Sequence, residues 1–284
     1  MSNTYRKELV GVFGYPVDEN PTVIPEEAAF HALDLDFRYL TIEVHPKDLK
    51  DAMQAVRALN FRGINLTIPH KCEVLKYLDS ISPEAEIIGA VNVVVNQMGK
   101  LHGDNTDGKG FLKSLTDEGI SPVHKKVTIL GAGGAARAIA VELALAGTSH
   151  IRIINRQEER GHHLALLIQE RTPAIGSYLP WTPEIIIPSD TDILINTSPV
   201  GMYPNTDEQP DIAYDSIASH MIVCDVITND PHTCFLKEAE KRGAKTIHGL
   251  NMMINQGAIN FTLWTGEEAP IDVMTDSIVK EFHL

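Results

Sequence analysis

Two hydrophobic periods alternate along this chain. Residues 8–14 (ELVGVFG) and 37–44 (FRYLTIEV) are short runs dense in β-branched and aromatic residues, and they predict strands. Between them residues 25–33 (PEEAAFHAL) have helical spacing. After them residues 46–59 set Leu49, Met53, Val56 and Leu59 on one helical face. GINLTIP at 63–69 predicts a strand, KCEVLKYLD at 71–79 a helix, and GAVNVVVN at 89–96 with KLHGDN at 100–105 two short strands. The pattern restarts at KKVTILGAGG (125–134), followed by a helix through AARAIAVELALAG and a strand HIRIINR at 150–156. DILINTS (192–198) and MIVCDVI (221–227) are further strands; TCFLKEAEKRG leads as a helix into a short strand AKTIHG, and two helices close the chain from Leu250.

Repeated β-α order predicts mainly parallel sheets covered by helices. The expected fold is α/β with two domains. An N-terminal α/β substrate domain spans residues 1–106 and takes back the helices of 249–284; a Rossmann-type dinucleotide-binding domain spans 107–248.

Bulk composition narrows the function. The chain has 284 residues, 43% hydrophobic and 22% charged, as in an ordinary globular protein. Its net charge of −14 argues against nucleic acid as a partner, because phosphate binding needs a basic face. No apolar run is long enough to span a bilayer, and MSNTYRKELV lacks the apolar core of a signal peptide. Cys72, Cys224 and Cys234 have no disulfide or metal spacing, and the histidines are scattered. The expectation is a cytoplasmic protein with reduced thiols, no metal, no membrane and a small-molecule partner.

The sharpest local signal is VTILGAGGAARAIAVELALAG. Gly131, Gly133 and Ala136 occupy G-x-G-x-x-A positions between a strand and a helix. The first glycine permits the turn, the second admits a pyrophosphate, and the small third residue lets helix and strand pack closely. Ala132, Gly134 and Ala135 complete the turn that offers helix N–H groups to phosphate. The next strand ends in Asn155 and Arg156, where an NAD site would place a carboxylate for the ribose. A guanidinium there, with Arg160 one turn on, favours the 2′-phosphate of NADP; NAD stays open as an alternative.

Three further motifs carry chemistry. GINLTIPHK ends with Lys71, GAVNVVV buries Asn92 among valines, and GDNTDGKGF places Asp107 at the domain junction. Singly each has a plain reading: a solvated lysine, an asparagine satisfying the main chain, a helix N-cap. Together with the glycine turn they match N-x-T-x-P-x-K, G-A-V-N, N-T-D-G-x-G-F and G-A-G-G-A-A-R, in order. N-R-x-x-x-R, NTSPVGM and a C-terminal QGAINFTLWTG follow. The whole chain thereby resembles the shikimate dehydrogenase family, including its quinate/shikimate members.

That resemblance implies an NADP-dependent dehydrogenase acting on a ring CH–OH group, occurring as a monomer or homodimer. It implies Lys71 and Asp107 as the catalytic pair, with Lys71 as general acid/base. Thr67, Asn92 and Gln256 match positions that bind ring hydroxyls; Thr197, Gly249 and Met252 fall in regions that meet the cofactor. The match fails where the family reads its substrate's carboxylate. The family's S-x-S pair, sometimes S-x-T, of H-S-x-S-P-x-x-H-N falls on Asn20 and Thr22, within DENPTVIPEE. The assisting tyrosine of D-x-V-Y-N-P falls on Thr228, with Asn229 retained. The expected reaction is reduction of 3-dehydroshikimate to shikimate or of a related cyclic hydroxyketone. The alternatives are quinate or a substrate lacking the carboxylate, or a non-catalytic NADP sensor on the same scaffold. Methylenetetrahydrofolate dehydrogenase and glutamyl-tRNA reductase share the architecture, but a lysine–aspartate motif fits neither as well.

Overall fold

The structure, a computed structural model, describes residues 5–284 except Asn229. The chain forms two compact units, one comprising the chain up to Thr106 with Gln256–Leu284, the other Asp107–Asn255. No described helix is long and apolar enough to cross a membrane.

In chain order the first unit has β1 (Glu8–Gly14), α1 (Val23–Ala32), β2 (Phe37–Glu43), α2 (Leu49–Ala58), β3 (Gly63–Leu66), α3 (His70–Glu73), β4 (Ser80–Ile81), α4 (Pro83–Ile88), β5 (Val93–Gln97) and β6 (Lys100–Asp104). The sheet order is β2-β1-β3-β5-β6-β4. β5 alone runs against its neighbours, as the short turn between it and β6 requires. Leu49, Met53 and Val56 of α2 are wholly buried against Ile64, Leu66 and Val94 of the sheet. Leu59 departs from the expected face. The helix ends at Ala58, Asn60 takes a positive φ of 56°, and Leu59 is left 64% exposed. GINLTIP likewise leaves its strand at Leu66, and the helix expected over 71–79 is one α-turn from His70 followed by a 3₁₀ turn to Tyr77.

The second unit takes α5 (Thr106–Asp117), β7 (Lys126–Leu130), α6 (Gly134–Leu145), β8 (His150–Asn155), α7 (Glu158–Arg171), β9 (Ile175–Pro180), β10 (Ile193–Asn196), β11 (Ile222–Asp225), α8 (Cys234–Glu240) and β12 (Lys245–Ile247). α9 (Gly249–Thr265) begins in this unit and continues into the first, which α10 (Ile271–Phe282) completes. The strands are all parallel, in the order β12-β11-β10-β7-β8-β9. This is the doubly wound dinucleotide-binding arrangement, whose crevice opens between β7 and β10 where the strand order reverses. Ala136, Ala138 and Ala140 of α6 are wholly buried, so small side chains let the helix lie close on the sheet.

One group in the first core is at odds with its surroundings. Glu26 of α1 is 0% exposed, and among the described residues neither carboxyl oxygen has a hydrogen-bond partner. Gly257 of α9 faces it: a Cβ there would stand 3.6 Å from Oε1. Burial raises this carboxyl well above the usual carboxylate range. The folded state therefore keeps a proton that the unfolded chain has lost. Stability is full below the unfolded value near about pH 4.3 and falls as pH rises through the folded value. Glu26→Met is expected to raise unfolding stability at pH 8 by about 1–3 kcal/mol, with the gain shrinking toward pH 4. Urea midpoints at the two pH values check this; a lower midpoint at pH 8 would refute it.

Candidate active site

In the first unit the residues gather where strands end. Gly14 closes β1 beside Thr67, and a Cβ on Gly14 would come 2.5 Å from Thr67 Cγ2. Thr67 is fixed by its N–H donating to Phe13 O at 3.0 Å. His70, buried, donates from its backbone to Thr67 O (2.8 Å) and from Nε2 to Val44 O (2.8 Å). Burial lowers the pKa of its imidazole. Lys71 follows on α3, partly buried, its carbonyl accepting from Val91 N at 2.8 Å. The lysine thus rides on a segment held by main-chain bonds on both sides.

Asn92, 3% exposed, is the polar centre of this unit. Its Nδ2 donates to Gln256 Oε1 and to Thr106 Oγ1, both at 3.0 Å, and its Oδ1 accepts from Thr106 N at 2.8 Å. Thr106 Oγ1 donates onward to Asn260 Oδ1 at 2.7 Å. On the other side Asn65 Nδ2 donates to Asn92 O (3.0 Å), and Tyr39 OH to Asn65 Oδ1 (2.9 Å). Asn92 and Gln256 are therefore in direct contact. Sequence reasoning left out Thr106 and Asn260, polar residues in runs otherwise read as motif or helix.

Asn20 and Thr22 are partly buried just before α1, and Asn20 Oδ1 is already used, accepting from Thr22 N at 3.0 Å. Asp18 and Glu19 beside them are exposed.

In the second unit Gly131 has φ +112°, and an added Cβ would meet Thr197 Oγ1 at 2.7 Å. Thr197 Oγ1 in turn donates to Leu130 O at 2.8 Å. Cβ atoms built on Gly133 and Gly134 would project into open space. A single cavity is lined by Gly131, Ala132, Gly133, Asn155, Arg156, Arg160 and Thr197. Gly134 and Ala135 open α6 behind them. A turn of backbone N–H groups with room before it, flanked by two arginines, suits a phosphorylated dinucleotide. Trp181 also lines the cavity and was missed from the sequence.

The remaining residues stand elsewhere in this unit. Gly249 starts α9 packed so tightly on Val226 and Ile227 main chain that no side chain fits, and Met252 is partly exposed one turn on. Asp107 is the second residue of α5, inside the first turn rather than capping it. Thr228 is partly exposed beyond β11, and Asn229 lies outside the described residues. Asp225, just before them, is 1% exposed; burial pushes its carboxyl up to about 6 despite hydrogen bonds from Thr233, Ile227 and Asn196.

Comparison with known proteins agrees along the whole chain. Residues 12–94 match the shikimate dehydrogenase substrate binding domain, 116–180 shikimate / quinate 5-dehydrogenase, and 249–278 the shikimate 5′-dehydrogenase C-terminal domain. A shikimate dehydrogenase (NADP(+)) of Desulforamulus reducens is 43% identical over 279 residues, covering 97% of this chain and 96% of that protein. The ligand-free 5-ketofructose reductase of Gluconobacter sp. strain CHM43 is 44% identical with a TM-score of 0.94, over 98% of this chain and 100% of that one. The shikimate 5-dehydrogenase of Listeria monocytogenes, solved with shikimate and NAD, is 36% identical with a TM-score of 0.91, over 97% of each chain. The chain belongs to the shikimate dehydrogenase family.

Proposed function

We propose that this chain is an NADP-dependent reductase of a cyclic hydroxyketone that carries no carboxylate, the class to which 5-ketofructose belongs. The observation that carries this reading is the divided site. The neutral pair Asn92–Gln256 that suits ring hydroxyls is intact, while Asn20, Thr22 and Thr228 stand where the family reads a carboxylate. Identity does not choose the substrate, since relatives named for shikimate and for 5-ketofructose score 43% and 44%. Chemistry does. Thr22 keeps a hydroxyl, but Asn20 offers an amide in place of one and Thr228 has no phenol. Each hydrogen bond to a charged group that goes unmade costs about 1.5–3 kcal/mol, so losing two would weaken an anion by roughly 10²–10⁴-fold.

Roles follow from the side chains. Lys71 donates a proton to the ketone oxygen during reduction and takes it back from the hydroxyl in reverse; its ammonium also stabilises charge growing on that oxygen. Asp107 is assigned to the reaction with it. Asn92 and Gln256, with Thr67, orient the hydroxyls, each offering donor and acceptor. NADPH, when bound, supplies the hydride to the carbonyl carbon. The glycine turn holds its pyrophosphate, Asn155, Arg156 and Arg160 its 2′-phosphate, and Thr197, Gly249 and Met252 belong to the same cofactor site. The thiols of Cys72, Cys224 and Cys234 are unpaired, which suits a cytoplasmic setting, with the enzyme a monomer or homodimer.

Steady-state kinetics with NADPH test the substrate. The expected kcat/KM for 5-ketofructose exceeds that for 3-dehydroshikimate by about 10²-fold or more. The reverse order would establish the shikimate reading, which the names of the curated relatives favour. Lys71→Ala is expected to lower kcat by about 10²–10⁴-fold with an unchanged melting temperature. Unchanged kcat would remove Lys71 from the reaction. Gly131→Ala, strained at positive φ and crowded by Thr197, is expected to raise KM for NADPH by about tenfold. An unaltered KM would count against the turn as the cofactor site.

A further inference from the structure

The lining of the dinucleotide cavity includes an aromatic residue with no part in the motifs above, Trp181. β8 and β9 run parallel with Asn155 opposite Pro180, so the next residues, Arg156 and Trp181, leave the sheet edge side by side. The Arg156 guanidinium carbon lies 5.1 Å from the Trp181 ring centroid. Both line the same cavity as Gly131 and Gly133. We propose that Trp181 is a specificity-determining residue of this chain. Its indole is the platform that holds Arg156 in place to meet the 2′-phosphate of an adenosine ligand, a role that rests on the NADP reading above.

The indole is fixed on three sides. Its backbone N–H donates to Asn155 O at 3.2 Å, and Nε1 donates to Asp211 O at 2.8 Å. The ring also packs against the apolar cluster that contains Leu130, Ile154 and Leu194. Arg156 itself is exposed. Left in water, such a side chain samples many rotamers, and ordering it would oppose ligand binding. A guanidinium stacked on a rigid indole keeps its planar donor edge free while its flat face is occupied. The stack thus sets the fork before the ligand arrives, and the gain falls on the ligand atom that the fork grips. Arg160, at the same cavity, has no such aromatic platform among the described residues and adds charge without fixed direction.

Isothermal titration of the full chain with 2′,5′-ADP and 5′-AMP tests this without any assumption about the reduced substrate. Wild type is expected to prefer 2′,5′-ADP. Trp181→Leu should weaken 2′,5′-ADP about five- to tenfold and 5′-AMP less than about twofold. Trp181→Phe, which keeps a ring face, should show a smaller loss confined to the same ligand, and carries the test if the leucine variant fails to fold. In an Arg156→Ala background, Trp181→Leu should add nothing. Unchanged 2′,5′-ADP binding in Trp181→Leu, equal weakening of both nucleotides, or an undiminished effect without Arg156 would each overturn the inference. A wild type that binds the two nucleotides equally would give a different signature, removing the NADP reading and the inference with it.

Discussion

A buried amide must find partners for all its hydrogen-bonding groups, and in the first unit that constraint falls on Asn92. It sits between Val91 and Val93, both wholly buried, where an unpaired donor or acceptor costs about 1–3 kcal/mol. The chain meets the demand by bringing Thr106 from the start of α5 and Gln256 from α9 to the same side chain. The stretches around Asn92 and Thr106 are pinned in consequence to a helix 164 residues from Asn92 in sequence. The same bonds leave a set of neutral, two-way hydrogen-bonding groups in fixed orientation. The stability requirement and the suitability for a polyol are one arrangement, and the line from Tyr39 through Asn65 extends it into the sheet.

In the second unit strand order plays the corresponding part. β7 and β10 are neighbours whose following connections leave in opposite directions, so a crevice opens beyond Leu130 and Asn196. Gly131 and Thr197 are the first residues past those strand ends, and their close approach needs the missing Cβ of glycine. β8 and β9 extend the same edge, which is why Asn155, Arg156 and Trp181 reach the cavity from one side. Position in the sheet decides which side chains line the cavity.

Legibility in the sequence followed the strength of the local signal. β7, the glycine turn and α6 were plain because a buried parallel strand and a small-residue helix leave little choice of residue. β9 was missed, since IGSYLP contains glycine, serine and proline, which usually mark turns. Gly176 serves there to admit α7, whose Ala165 carbonyl lies where a Cβ would be. Missing that strand also hid Trp181, an isolated aromatic whose meaning depends on the register of β8 and β9. Leu59 shows the opposite error: its spacing was helical, but the helix had already ended. Glu26 looked like one more charge in an acidic stretch. Only packing reveals it as buried and unpartnered.

That acidic stretch bears on what the enzyme admits. Counting along H-S-x-S-P-x-x-H-N, the first histidine falls on Glu19, and the final histidine and asparagine on Glu26 and Glu27. Three positions that are neutral or basic in the family pattern are carboxyl-bearing here, with Asp18 adjacent. They are not equivalent electrostatically. Glu26 is buried with its pKa raised, so it adds cost rather than field. Glu27 is neutralised by Arg38, whose Nη1 lies 2.9 Å from its Oε2. Asp18 and Glu19 are exposed, within a few residues of Asn20 and Thr22. At physiological salt the field of an exposed charge extends about 8 Å, far enough to act on a ligand held by the next residues in the chain. An anionic substrate would meet that field, whereas a neutral polyol is indifferent to it. Of these positions only Asp18 and Glu19 carry exposed charge beside Asn20 and Thr22, so the carboxylate-free substrate proposed above draws its electrostatic support from those two residues and none from Glu26 or Glu27.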